Sequence, residues 1–190
     1  HTEFENQLVV DRDSIINGIL FKNLEGRSFS NSFQTEFSFS PLKNFEVRMA
    51  YKLLDVRSTF GGTVQQQVML PKHRGFVNFA YKTRDQRWEY DATCSVFGQS
   101  RLPEAILADG TITTKNVSEV YPMINAQITH VHKNWDFYLG GENLANYKQK
   151  NAIIDAENPF GSKFDATRIW GPIMGINVYA GFRYSIKQKK

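Results

Sequence analysis

The sequence predicts an all-β chain, an antiparallel transmembrane β-barrel segment of about eight strands, and three observations predict it. First, aromatic residues are abundant, with 15 Phe, 8 Tyr and 3 Trp among 190 residues, yet the mean hydropathy is negative. Rings are therefore interleaved with polar residues, as in barrels and sandwiches. Second, apolar and polar residues alternate with period two. Third, short and long connections between these runs strictly take turns. No window approaches the roughly eighteen consecutive apolar residues of a membrane-spanning helix, and no charged start followed by an apolar core marks a signal peptide.

In chain order, Thr2 to Val10 reads as a first strand, and Asn17-Gly18 as a two-residue hairpin turn between Asp11 to Ser14 and Ile19 to Lys22. Pairing carried straight from that turn sets residues near Thr2 against residues near Phe33. From Ser28 to Ser40 the odd positions Phe29, Phe33, Thr35, Phe37 and Phe39 are mostly apolar, while the even ones are all polar. After the turn Pro41-Leu42-Lys43-Asn44, the residues Phe45, Val47, Met49, Tyr51 and Leu53 alternate with Glu46, Arg48, Ala50 and Lys52. The same alternation recurs over Val77 to Lys82, Trp88 to Val96, Ile124 to Thr129, Trp135 to Leu139 and Ile176 to Ile186.

A soluble sandwich also alternates, so the connections carry the distinction. Pro41 to Asn44, Thr83 to Arg87 and His132 to Asn134 are short, whereas the segments near 61–73, 101–118 and 143–173 are long. Tight periplasmic turns and long extracellular loops are the pattern of an outer-membrane barrel. Phe39, Phe45, Tyr81, Trp88, Trp135 and Tyr184 share the apolar face near the short turns or the C-terminus, the place of an interfacial girdle. The chain is expected to start inside a strand and to end on an open one. Lipid cannot satisfy such edges, so other strands are expected to close the sheet. The single-chain alternative is a soluble lipocalin-like carrier, which would stay monodisperse without detergent.

Residues 141–149 read Gly-Glu-Asn-Leu-Ala-Asn-Tyr-Lys-Gln, followed by Asn158-Pro159-Phe160-Gly161, Phe164-Asp165-Ala166, Trp170-Gly171-Pro172 and Val178-Tyr179-Ala180-Gly181-Phe182-Arg183-Tyr184. This set resembles the C-terminal end of TonB-dependent outer-membrane receptors. Looser similarity runs upstream through Asn31-Ser32-Phe33, Lys72-His73-Arg74 and Asn125-Ala126-Gln127-Ile128-Thr129. Its carriers are Gly141, Glu142, Asn143, Leu144, Tyr147, Pro159, Phe160, Gly161, Trp170, Gly171 and Pro172. The resemblance implies that residues 1–190 are the last strands of a barrel of about 22, with the plug and the earlier strands outside this chain. It further implies a receptor in the outer membrane of a Gram-negative bacterium for TonB-energised uptake of a scarce nutrient: a siderophore, haem, cobalamin, another metal complex or a glycan. The implied partners are outer-membrane lipid, the remainder of the barrel and plug, the TonB complex through an N-terminal part, and a surface lipoprotein. Phe182, Tyr184 and Ile186 resemble the assembly signal of a closing strand. A passive porin-like or structural barrel fits the alternation and the loops equally.

The chemistry-bearing residues form no enzyme pattern. Neither a Ser/His/Asp arrangement, a phosphate loop nor paired carboxylates stand out, so neither catalysis nor a cofactor is expected. His130 and His132 share a strand face but sit at a short turn without acidic or thiol neighbours at ligand spacing; they read as interfacial polar residues. The single cysteine, Cys94, excludes an internal disulfide framework and a cysteine-based zinc site. A net charge of +4 without a clustered basic stripe excludes a nucleic-acid module. Glu36, Arg48, Lys52, Glu89, Asp91 and Arg183 fall on the polar face, where they are expected to solvate a lumen wall or to pair with a plug. Within 143–172 the motif residues are expected to serve folding, and ligand contact falls to the tips Gly61 to Gln67 and Ala108 to Thr114.

Overall fold

In the computed structural model, residues 1–5, 8–11, 20–24, 26–60, 62–107, 109–112 and 117–186 are described. The alternating runs become strands: β1 Thr2–Phe4, β2 Leu8–Asp11, β3 Leu20–Asn23, β4 Ser28–Leu42, β5 Phe45–Phe60, β6 Thr63–Gln66, β7 His73–Lys82, β8 Trp88–Phe97, β9 Tyr121–His132, β10 Trp135–Glu142 and β11 Asn177–Tyr184. One sheet runs β1-β4-β5-β7-β8-β9-β10-β11, with β6 folded back on β5, and among the described residues β2 pairs only with β3. Among the described residues every strand pairing is antiparallel, and the sheet does not close on itself.

Register carries each strand's alternation across the whole sheet. Phe37, Met49, Val77, Cys94 and Ile124 lie opposite one another in succession, as do Ser38, Arg48, Asn78, Thr93 and Asn125 one step away. The first row is apolar and the second polar, so the two faces differ along their full width. The apolar face is uncovered: Phe33, Phe37, Phe79, Leu139 and Phe182 are all exposed. Among the described residues the buried apolar side chains are Leu24, Val47, Val68, Leu102 and Ala105, far too few for the core of a sandwich.

Aromatic rings gather on the apolar face at the short-turn end. Trp135 packs, tilted, against Tyr184 and Phe182 at 4.7 and 5.5 Å, Phe45 meets Tyr81 at 6.4 Å, and Trp88 lies against His130 at 4.4 Å between ring centroids. His130 and His132 thus belong to this aromatic band, and no group of three or more metal-ligating side chains occurs among the described residues.

The connections at that end are tight. Lys43-Asn44 and Lys133-Asn134 are two-residue turns, with φ of 65° at Asn44 and 56° at Lys133. The turn expected over Pro41 to Asn44 is therefore shorter, because β4 continues to Leu42 through a register shift after Phe39. That bulge accommodates Pro41, which cannot donate to the ladder, and turns Leu42 to the face of Phe45. In the β7–β8 turn the Thr83 hydroxyl donates to Asp85 at 2.6 Å and the Arg87 N–H adds a second bond at 3.2 Å. Together they hold the Asp85 carboxyl below its ordinary range.

Several expectations are corrected. Thr2 to Val10 is two strands, since β1 pairs with β4 while β2 turns to β3. Thr2 lies opposite Ser30, not near Phe33; this register keeps Thr2 level with the polar side of β4, and the Glu3–Arg27 ion pair at 2.7 Å ties β1 to the residue before β4. The Asn17-Gly18 turn lies outside the described residues. The tip Gly61 to Gln67 is largely strand: Arg57 to Phe60 pair with Thr63 to Gln66, so β5 climbs well past its apolar stretch. Of the tip Ala108 to Thr114, only residues 109–112 are described, with Ile106 bridging Ile112. The closing strand ends at Tyr184, which leaves Ile186 beyond it and exposed.

Candidate functional site

Two groups of residues stand out, one at the long-loop end and one on the polar face. The first is built by β10, which delivers Asn143 to the start of the long loop. Asn143 is buried at 3% exposure with φ of 51°, a left-handed conformation that Asn tolerates better than most residues. Its amide nitrogen donates to the carbonyls of Tyr147 and Met174 at 2.8 and 3.0 Å, and its side-chain oxygen accepts the Tyr147 N–H at 3.1 Å. Its own N–H reaches Asn125 Oδ1 at 3.0 Å. Gln149 repeats the device further on: it donates to the Arg168 carbonyl at 2.8 Å and accepts the N–H groups of Trp170 and Gly171 at 2.8 and 3.0 Å. Two buried amides thus pin both ends of the loop to each other.

Four rings pack beneath this staple. Phe97 stacks on Tyr121 and Tyr121 on Tyr147, each at 5.0 Å and with the rings nearly parallel, while Trp170 lies 5.7 Å from Tyr121. The Tyr121 hydroxyl donates to the Trp170 carbonyl at 3.3 Å, and that of Tyr147 to Glu119 at 3.2 Å. Burial first, then the hydrogen bond to Glu119, pushes the Tyr147 hydroxyl up to about 12. The motif residues Asn143, Tyr147, Trp170, Gly171 and Pro172 therefore meet in one structure. Leu144 anchors through its N–H to the Ile124 carbonyl at 2.7 Å, Gly141 lies within β10 and Glu142 ends it. Pro159, Phe160 and Gly161 do not join them: they form a separate turn, closed by the Gly161 N–H on Asn158, from which Phe160 is fully exposed.

On the polar face, Arg48 and Glu36 form an ion pair at 2.6 Å, Lys82 and Glu89 another at 2.6 Å, and Asn78 holds Asp91 at 3.0 Å and Thr93 at 2.8 Å. Glu36, Arg48, Glu89 and Asp91 thus have partners within the wall. Lys52 and Arg183 have none among the described residues. Arg183 lines a cavity of about 310 Å3 with Glu89, Gln127, Thr129, Asp136 and Tyr138. Above it Tyr138 lies across Gly181 and Tyr179 across Gly140, where any Cβ would strike the ring, and Tyr179 donates to Gln127 at 3.1 Å. A larger hollow of about 450 Å3 lies on the apolar face around Ala92 and Ala126, rimmed by Phe79, Tyr90, Leu139 and Val178.

Sequence reasoning missed Gln149, Glu119, Phe97 and Tyr121 as parts of one cluster. The available signal was parity: Phe97 and Tyr121 are rings at positions that continue the polar rows.

No protein-family model and no curated protein matches this sequence. Among solved structures, the chain is similar to the closed form of the ferric-catecholate import receptor Fiu from E. coli K12, with a TM-score of 0.62 at 15% identity. The fold is a segment of β-barrel wall. The match covers 96% of this chain and 24% of that one, so the chain spans about a quarter of the length of the structure it resembles.

Proposed function

We propose that this chain is the C-terminal wall of an outer-membrane barrel in a TonB-dependent receptor, which takes up a scarce nutrient such as a siderophore, haem, cobalamin, another metal complex or a glycan. The single observation that carries the reading is the uncovered apolar face, continuous from β4 to β11 and banded by rings at its short-turn end. In water such a face would aggregate; against lipid it is satisfied. The ten residues of β7 and of β8, at about 3.3 Å per residue and tilted near 45°, cover about 23 Å, close to the thickness of an apolar barrel band. The opposite, hydrogen-bonded polar face then lines the lumen, where Lys52 and Arg183 remain for a plug or solute. The resemblance of the 141–184 motifs supports the receptor class, and the fold likeness to an import receptor agrees with it.

The test is uptake by cells carrying the intact polypeptide, with and without a working TonB system. Energised accumulation of the nutrient should vanish without TonB; accumulation that persists would sink the reading. Steady ion conductance through an unplugged lumen in planar bilayers would favour a passive barrel instead.

A further inference from the structure

Gln34, Lys52, Arg74, Phe97 and Tyr121 are successive cross-strand partners and form one row across β4, β5, β7, β8 and β9 on the polar face. Its centre sets two cations directly opposite each other, since Lys52 and Arg74 are Cα partners. Like charges in that position repel. Arg48 and Lys82, on the same face, each hold a carboxylate at 2.6 Å. Among the described residues, neither Lys52 nor Arg74 has one. Arg74 instead places its guanidinium 5.7 Å from the centre of the Phe97 ring, a contact that uses none of its N–H donors. The next row down, Glu36, Ala50, Phe76, Ser95 and Met123, carries one charge, Glu36, which Arg48 already holds at 2.6 Å. Beyond the pair, the Leu54 N–H bonds to the Lys72 carbonyl at 2.8 Å and so brings a third cation to this end of the same pairing.

We propose that Lys52 and Arg74 form a subsite for an anionic solute, one that presents carboxylate, phosphate or sulfate oxygens to the two cations. The arginine fork takes two oxygens and the lysine supplies a point charge. The proposal rests on the reading that the polar face lines a solute path, and it narrows the substrate to anions.

The probe is 8-hydroxypyrene-1,3,6-trisulfonate, flat and polyanionic, with binding to the intact polypeptide in detergent micelles read by fluorescence anisotropy. Saturable binding is expected, at least about tenfold weaker at high than at low salt. K52Q/R74Q should weaken binding about tenfold or more, K52R/R74K should restore it to within about threefold, and K82Q should change it less than about twofold. Heat-modifiable migration reports folding of each variant. If the double variant fails to fold, the single variants K52Q and R74Q replace it, each expected about threefold weaker. Absence of saturable binding would overturn the proposal, as would occur if an acidic segment of the same polypeptide already neutralised the pair. Equal binding by a folded K52Q/R74Q would overturn it too. The assay needs no energised transport: failed binding with intact TonB-dependent uptake removes the subsite alone, and intact binding without such uptake removes the transport reading alone.

Discussion

At the residue scale, the loop staple shows how much two side chains can organise. Asn143 satisfies two carbonyls and one N–H of its own loop, in a backbone conformation with φ of 51° that Ala adopts poorly. Asn143→Ala should therefore remove about 2–4 kcal/mol of local stability, from buried groups left unpaired and from backbone strain. The expected readout is faster amide hydrogen exchange at Tyr147 and Trp170 with little change in the strands; unchanged exchange at both would refute the staple. Tyr147 gives the residue-scale prediction for pH. Its proton is held above the ordinary value near 10, up to about 12, by burial and then by Glu119. Because the folded state binds this proton more tightly than the unfolded chain, the associated stability is complete below about pH 10 and is lost as the pH rises through about 12. Phenolate absorbance should include a late tyrosine step from Tyr147, and Glu119→Gln should bring its midpoint down. A late step unaffected by both Glu119→Gln and Tyr147→Phe would belong to another residue.

At the element scale, alternation makes neighbouring residues inequivalent. Val77 and Cys94 pair on the apolar face, Phe76 and Ser95 on the polar one. In lipid bilayers Val77→Arg should cost about 2–4 kcal/mol of folding free energy, the range for a cation on the lipid side near mid-bilayer, and Ser95→Arg close to none. Folding into vesicles, followed by heat-modifiable migration, measures both; equal costs would mean that the faces are misassigned. The same alternation explains what was legible in the sequence. In β4 and β5 the rows are long, and any slip of one residue would move Phe33, Phe37 and Phe39 to the wrong face, so pattern and register coincide. β6 was not legible, because Thr63-Val64-Gln65-Gln66 is short, has no apolar face, and takes its place only by pairing with β5. At the N-terminus the strongest local turn signal, Asn17-Gly18, suggested one register, and the pairings of β1 with β4 and β2 with β3 adopt another. The staple was visible only as a motif. Its ring cluster joins Phe97, Tyr121, Tyr147 and Trp170 from distant parts of the chain, and no period links them.

At the scale of the whole molecule, the decisive features are the two edges. Among the described residues, β4 pairs with β1 only over Ser28 to Ser30, leaving its longer remainder joined to β5 alone, and β11 pairs only with β10. Along β11, Val178, Phe182 and Tyr184 are exposed on the apolar face, which on the proposed reading sets this edge at the depth where each unpaired backbone group would cost several kcal/mol in lipid. On the proposed reading, strands outside these residues take up both edges within the membrane. In the intact polypeptide, folded in a bilayer, the β11 amides that point away from β10 should exchange as slowly as those bonded to it. In the 190-residue chain alone, held in detergent, the outward amides should exchange near the rate of an open chain while the inward ones stay protected. Slow exchange on both sides in the isolated chain would mean that the sheet closes on itself or on a second copy, and the larger barrel would no longer be required. Fast outward exchange in the intact polypeptide would place this edge outside the bilayer and remove the apolar face's claim to lipid.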